Sequence, residues 1–224
     1  MDSRLRVFGS SVGTKILIGA TGFILFLYLI LHIGGNLLVF LGRDTFNEYS
    51  HTLISNPLVP VIEILLLLIL LVHVFKTARM YFTNQRARPV RYVQKKPAGP
   101  PSRKTFSSTT MIFSGLWLLT FMIIHVKTFK YGPEYESSVA GVRDLYRVEM
   151  DNFTSPLVVA FYVVSMLVVG SHLWHGVSSA FQSLGVDHRR WTPRILALGK
   201  LMAVLIASGF IVIVLWAHFA GARS

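Results

Sequence analysis

The alternation of hydrophobic and polar positions divides the chain into five long apolar segments joined by shorter polar stretches. Each segment is long enough to cross a hydrocarbon core of about 30 Å as an α-helix. The predicted spans cover approximately residues 16–41, 58–82, 110–129, 157–184 and 195–219. The pattern therefore predicts an all-α integral membrane protein with five transmembrane helices, forming a single domain over residues 1–224.

Composition supports this prediction and limits the chemistry. The chain of 224 residues is 53% hydrophobic and only 14% charged, whereas a soluble domain of this length needs more polar surface. It has no cysteine, which excludes disulfides, thiolate-bound iron–sulfur clusters and covalent haem attachment. Glycine-rich nucleotide-binding motifs are also missing from the sequence. Any redox chemistry would therefore need non-covalent cofactors or partner subunits.

The net charge of +12 does not indicate nucleic-acid binding, because the basic residues are concentrated in alternate loops. Residues 76–104 carry nine Lys/Arg and no acid, and residues 187–200 carry four against one, whereas residues 127–151 carry four against five acids. The positive-inside rule then predicts a multi-pass protein of the cell inner (cytoplasmic) membrane, with a cytoplasmic N-terminus and an external C-terminus. The Pro-rich stretch 94–104 is expected either to bind anionic membrane lipid or an acidic partner, or to be a solvated loop.

Four of the predicted helices carry a histidine deep in the membrane: His32, His73, His125 and His172. At about 1.5 Å of rise per residue, His32 and His125 both fall in the outer half of the bilayer, and His73 and His172 both fall in the inner half. Neutral imidazole is a good axial ligand for haem iron. The sequence thus predicts a four-helix bundle holding two bis-histidine haems. The alternative is that each histidine simply hydrogen-bonds a neighbouring helix.

A fifth histidine, His175, follows His172 by three residues, so the two side chains face a similar direction. One of them is expected to be the iron ligand and the other a hydrogen-bonding neighbour or a propionate contact. Glycines could make room for a flat ring, although ordinary helix packing explains any one of them equally well. They are Gly19, Gly22, Gly34, Gly35, Gly115, Gly170 and Gly176.

Three acid–base groups lie near the outer side of the second predicted helix: Glu48, His51 and Glu63. A quinone needs hydrogen-bond partners for its carbonyl oxygens and a proton route on reduction, so these residues are the candidates for a quinone site. The alternatives are that Glu63 snorkels to the interface and that Glu48 and His51 belong to a solvated loop.

An ordered set of motifs resembles one known family. The motifs are H-I-G-G-N at 32–36, N-P…E-I…H within 56–73, N-Q-R-A-R-P at 84–89, I-I-H-V at 123–126 and H-L-W-H-G…A-F-Q-S-L-G at 172–185. Together they cover nearly the whole chain, and it resembles the five-helix, single-chain cytochrome b anchor of succinate:quinone oxidoreductases (succinate dehydrogenase or fumarate reductase).

The resemblance implies two haem b groups ligated by His32, His73, His125 and His172. In the family the last ligand is followed four residues later by glycine, a position that Gly176 fills for His172 and not for His175. It also implies a flavoprotein partner with FAD and an iron–sulfur partner that carry out the succinate chemistry. Electrons would pass from the inner to the outer haem and reduce a quinone, with menaquinone as the expected type. The quinone-site acid of some members has no clean match here.

Two other functions are compatible with the same apolar pattern. A haem-less structural anchor of the same complex would retain the fold, although keeping all four histidines argues against it. A membrane transporter using the histidines as a proton relay would need a charged pathway across the bilayer, and the deep segments contain almost no acids.

Overall fold

The computed structural model describes residues 10–87, 106–139, 141–186 and 188–221. Nearly all of this part of the chain is helical. In chain order the elements are α1 (Ser11–Asn36), a 3-10 turn (Leu37–Leu41), α2 (Arg43–Ile54), α3 (Val59–Arg86), α4 (Phe106–Thr109), α5 (Met111–Phe129), α6 (Leu145–Asn152), α7 (Pro156–Ser183) and α8 (Thr192–Gly221).

Five of these helices, α1, α3, α5, α7 and α8, are long and apolar enough to cross a membrane, which confirms the predicted number and order of spans. Their ends differ from the prediction where polar residues continue a helix. The first begins at Ser11 rather than at 16, because the Ser10 hydroxyl caps it by accepting the Gly13 N–H at 3.0 Å. The last begins at Thr192 rather than at 195, with Pro193 in its first turn.

Helix α7 lies at the centre of the bundle and packs against α1, α5 and α8. Its contact with α8 is close, as shown by Gly170: a Cβ added there would lie only 3.0 Å from the Ala207 Cβ. Helix α3 packs along α1 and touches α5 only lightly. No residue of α3 is fully buried within the described part of the chain.

The two short helices α2 and α6 pack against each other over one end of the bundle, which we call the capped end. Asp144 holds them together. Its fully buried carboxylate accepts hydrogen bonds from Arg43, from the Asn47 amide at 2.7 Å and from the Arg147 N–H at 3.1 Å. Asn47 in turn accepts the Tyr146 N–H at 2.9 Å. The apolar pattern predicted only loops here, because these helices are short and mostly polar.

The predicted lipid-binding stretch 94–104 lies outside the described residues, as does the end of the motif at 84–89. The lipid contact stays a prediction.

Candidate cofactor-binding site

The first pair of histidines lies toward the capped end. His32 on α1 and His125 on α5 have their ring centroids 5.9 Å apart, with the ring planes at 87°. His125 is surrounded by the aromatic rings of Phe121, Phe129 and Tyr162, at centroid distances of 5.4, 5.1 and 6.1 Å. Its Nδ1 is buried and has no hydrogen-bond partner among the described residues. Since an unpaired buried polar atom is costly, this imidazole points to a missing partner.

The second pair lies farther from the capped end. His73 on α3 and His172 on α7 are close enough to interact electrostatically. A hydroxyl from a neighbouring helix meets the Nδ1 of each ring. The Thr21 Oγ1 on α1 lies 3.1 Å from the His73 Nδ1, and the Ser114 Oγ on α5 lies 2.9 Å from the His172 Nδ1. The four histidines therefore lie on four different helices, α1, α3, α5 and α7.

The proton positions at the second pair follow from the hydroxyl groups. Each hydroxyl has one hydrogen and already donates it to its own helix, Thr21 to the Leu17 carbonyl at 2.6 Å and Ser114 to the Met111 carbonyl at 3.0 Å. With the hydroxyl hydrogens assigned in this way, each hydroxyl oxygen can accept a hydrogen bond from the Nδ1–H of His73 or His172. The Nε2 lone pair of both rings is consequently free to bind a metal ion.

A glycine follows each of these hydroxyl residues and gives the imidazole room. A Cβ on Gly22 would lie 3.0 Å from the His73 Cε1, and one on Gly115 would lie 3.8 Å from the His172 Cε1. Any larger residue at Gly22 would press directly on His73. Thr21–Gly22 on α1 and Ser114–Gly115 on α5 thus have the same arrangement: a hydroxyl that contacts the Nδ1 of a histidine and a glycine that leaves room for its ring.

Sequence reasoning missed Thr21 and Ser114, although a signal for them exists. Both α1 and α5 contain a hydroxyl residue, a glycine, nine residues and then a histidine, ending at His32 and His125. The hydroxyl and the histidine are three helical turns apart and share one face, separated by about 16 Å along the axis. Each of these two helices therefore contributes a hydroxyl to one histidine pair and an imidazole to the other.

His175 lies on α7 about one turn beyond His172 and is half-buried. Within the described residues it receives no hydroxyl partner of the kind that Ser114 gives to His172. The arrangement orients His172 firmly, whereas His175 is left less constrained.

The three quinone candidates are not brought together by any described contact. Glu63, near the start of α3, forms an exposed ion pair with Lys130 at the end of α5. Glu48 and His51 are exposed on α2. Tyr28, which sequence reasoning did not consider, is close enough to interact electrostatically with Glu63 and stacks on His32 at 5.4 Å. Glu63 is thus linked to the first histidine pair through Tyr28.

Glu149, near the capped end, is a buried acid that was not among the quinone candidates. Glu149 on α6 has only 4% of its surface exposed, and this burial raises the pKa of Glu149 to about 8. Its position could not be inferred from the sequence, where it reads as one of several loop charges. Only the folding of α6 onto the bundle places it inside.

The raised pKa predicts how pH changes stability. Between about pH 4.5 and pH 8 the folded protein keeps Glu149 protonated whereas the unfolded chain ionises it, so the free energy of unfolding falls as pH rises. We expect Glu149→Gln to reduce this fall in a detergent-unfolding titration. Asp151→Asn, on the exposed side of the same helix, is the control. An unchanged pH dependence in the Gln variant would show that Glu149 is ionised in the folded state.

Among the described residues there is no cluster of three or more His, Asp or Glu side chains that could hold a metal ion. Comparison of the chain with protein-family models, curated proteins and solved structures finds no significant match. The five apolar helices define the chain as a multi-pass membrane protein.

Proposed function

We propose that this chain is the cytochrome b membrane anchor of a succinate:quinone oxidoreductase. It would hold two haem b groups, one between His32 and His125 and the other between His73 and His172. The observation that carries the proposal is the hydroxyl on the Nδ1 of both His73 and His172, because it leaves both Nε2 atoms free to ligate iron. The same two hydrogen bonds also join α1 to α3 and α5 to α7, as the alternative of histidines that bond neighbouring helices predicts.

The first pair would supply the ligands of the other haem. The His32 and His125 centroids are 5.9 Å apart, and the His125 Nδ1 has no protein partner in the described part. When bound, haem supplies one-electron transfer. The chain contributes the ligands, their orientation and an apolar, water-poor surrounding.

The basic loops support an orientation with the capped end outside and the opposite end in the cytoplasm. The flavoprotein and iron–sulfur subunits, with FAD and the clusters, would then dock at the cytoplasmic end and carry out succinate chemistry. Quinone would exchange electrons within the membrane. The exposed pair Glu63–Lys130, near Tyr28 and the first histidine pair, offers both a proton acceptor and a donor for a quinone at the capped end.

The proposal is tested by a pyridine haemochrome assay and a dithionite-reduced spectrum on the purified membrane complex. We expect two low-spin b haems per copy of this chain that do not bind carbon monoxide, since both axial positions are occupied. One haem would mean that one histidine pair is structural. A colourless complex that still contains the partner subunits would favour a haem-less anchor. Transport activity of the isolated chain would favour a histidine relay.

Removing the hydroxyl groups should weaken cofactor binding without removing a ligand. Partners that orient a metal-binding histidine typically contribute 10- to 100-fold in affinity. We therefore expect Ser114→Ala and Thr21→Val each to weaken haem binding at the second pair by about 10-fold or more. The measurement is haem retention during detergent washing, followed by titration of haem into the apoprotein.

Two matched controls separate this effect from a general loss of helix stability. Ser208→Ala on α8 and Thr120→Val on α5 remove exposed hydroxyls that bond only to their own helices. Haem retention equal to wild type in Ser114→Ala and Thr21→Val would show that the hydroxyls are not orienting iron ligands.

A further inference from the structure

A groove with a volume of about 370 Å³ runs along the surface of the bundle between α7 and α8. This volume falls in the range of about 300–1,000 Å³ that is usual for ligand pockets. The groove is open along the exposed side chains of Leu167 and Val204. Because most of its other lining residues are small, the protein leaves this space unfilled. These residues are Gly170, Ser171, Ala203, Ala207 and Ser208.

A lysine lies at one end of this groove. Lys200 is four residues before Val204 on α8, so the two side chains share one face of the helix. The Lys200 ammonium lies 5.3 Å from the centroid of the Trp174 ring, which itself lines the groove. The apolar stem of a lysine can lie along such a surface while its charged end stays at the boundary. The groove therefore has one positively charged end.

The charge of Lys200 has no acidic partner within the described residues. The ion pairs found there involve other side chains. Neither α7 nor α8, the two helices that form the groove, contains an aspartate or a glutamate. The Trp174 ring attracts the ammonium through its π face but carries no negative charge. An anion from outside the chain would therefore complement Lys200.

The position of Lys200 along α8 matches the head-group level of a membrane. Residues 201–220, which follow it, contain no Lys, Arg, Asp or Glu. As a helix they span about 30 Å, the thickness of the hydrocarbon core, so Lys200 lies at its boundary beside the turn between α7 and α8. From Lys200 the groove extends as far as Ile211, about 16 Å along the helix axis. This is close to half of the core, which is the depth of one lipid leaflet.

We propose that the groove binds one anionic phospholipid from the leaflet that faces the turn between α7 and α8. The lipid phosphate accepts hydrogen bonds from the Lys200 ammonium, and one acyl chain lies along the small residues of the groove. The negative charge of the head group complements the unpaired lysine, and the depth of the groove fits a chain of the same leaflet. This inference goes beyond the proposed function, since it requires neither haem nor the partner subunits.

The test is native mass spectrometry of the full chain, delipidated in detergent and titrated with dioleoylphosphatidylglycerol, which is anionic, or dioleoylphosphatidylcholine, which is zwitterionic. We expect wild type to bind one phosphatidylglycerol more tightly than phosphatidylcholine. Lys200→Gln should weaken phosphatidylglycerol binding about fivefold, the contribution of one basic side chain, whereas Lys200→Arg should retain it. Arg194→Gln is the matched control, because it removes another cation of α8 that lies over a tryptophan ring, Trp191, at 5.1 Å. It should leave the affinity close to that of wild type.

A second variant fills the groove without changing its charge. Ser208 is exposed and its hydroxyl bonds only to its own helix, so a leucine there occupies the groove from its open side. Ser208→Leu is expected to remove the tightly bound phosphatidylglycerol. Val212→Leu, at an exposed position of α8 beyond the groove, is the control. Since Lys200 is exposed, Lys200→Gln keeps the test independent of any effect of Ser208→Leu on folding.

Three results would overturn the inference. The first is equal affinity of wild type for the two lipids. The second is a preference for phosphatidylglycerol that Lys200→Gln leaves intact, which would assign the lipid to another basic surface such as the stretch 94–104. The third is a wild-type dimer that Ser208→Leu dissociates, which would assign the groove to a second copy of this chain. The proposed function is unaffected by each of them, because haem content is measured separately.

Discussion

Under the proposed function, replacing His172 by alanine is expected to reduce the haem content of the complex from two per chain to one, whereas replacing His175 leaves both haems in place. The two residues lie about one turn apart on α7, so sequence position hardly separates them. Their hydrogen bonds distinguish His172 from His175. The Ser114 hydroxyl holds the His172 Nδ1 at 2.9 Å and leaves its Nε2 free, and a glycine, Gly115, faces its Cε1. A ligand oriented in this way binds iron with little entropic cost.

The readout is the haem-to-protein ratio with the low-spin spectrum of each variant. Loss of a haem is a large effect, because replacing an axial histidine with alanine leaves no side-chain ligand at that position. His175→Ala serves as the matched control, since it removes the same side chain from the same helix. Loss of low-spin haem in the His175 variant alone would reverse the assignment. Full haem content in both variants would show that neither residue is an axial ligand.

Replacing Asp144 by alanine is expected to loosen the capped end. The change removes the N-cap of α6 and two side-chain hydrogen bonds, and it leaves the buried Asn47 amide without its acceptor. The cap contributes about 1 kcal/mol. Hydrogen bonds to a charged group contribute about 1.5–3 kcal/mol. The Arg43 pair adds little, because the Arg43 side chain is 50% exposed. The expected total is about 3 kcal/mol.

Hydrogen exchange on the purified protein measures this loss locally. A destabilisation of about 3 kcal/mol corresponds to a fall in protection on the order of 100-fold, confined to amides of α2 and α6. Asp151→Asn, which breaks only an exposed ion pair on α6, is the control. Unchanged protection in the Asp144 variant would show that apolar packing alone holds the two helices together.

The hydrogen bonds of Asp144 also predict the pH below which this carboxylate stops stabilising the fold. Burial by itself would raise the pKa of Asp144, but hydrogen bonds from Arg43, Asn47 and the Arg147 N–H outweigh this, and the pKa is lowered from 3.8. A lowered carboxyl pKa contributes stability that is fully present above the unfolded value and is lost as pH falls through the folded value. The contribution of Asp144 is therefore constant at neutral pH and declines only below about pH 3.8.

The sequence by itself predicted the five spans, which the structure confirms, and it predicted two depths at which histidines pair. Both results depend on local quantities: the length of an apolar run and the rise per residue of a helix. The tertiary structure agrees with the depth argument in bringing His32 within 5.9 Å of His125, ring to ring. The ends of α1 and α8 were less well predicted, because helix caps and polar first turns carry no apolar signal.

Only the tertiary structure decided which side chains on different helices meet. The contacts of Thr21 with His73 and of Ser114 with His172 depend on how each helix is rotated about its axis, and hydrophobic periodicity is weak in a helix that is apolar on all sides. The burial of Glu149 and Asp144 likewise depends on two short polar helices folding over the bundle. The sequence therefore indicated which residues carry the chemistry, and packing decided which of their atoms remain free to perform it.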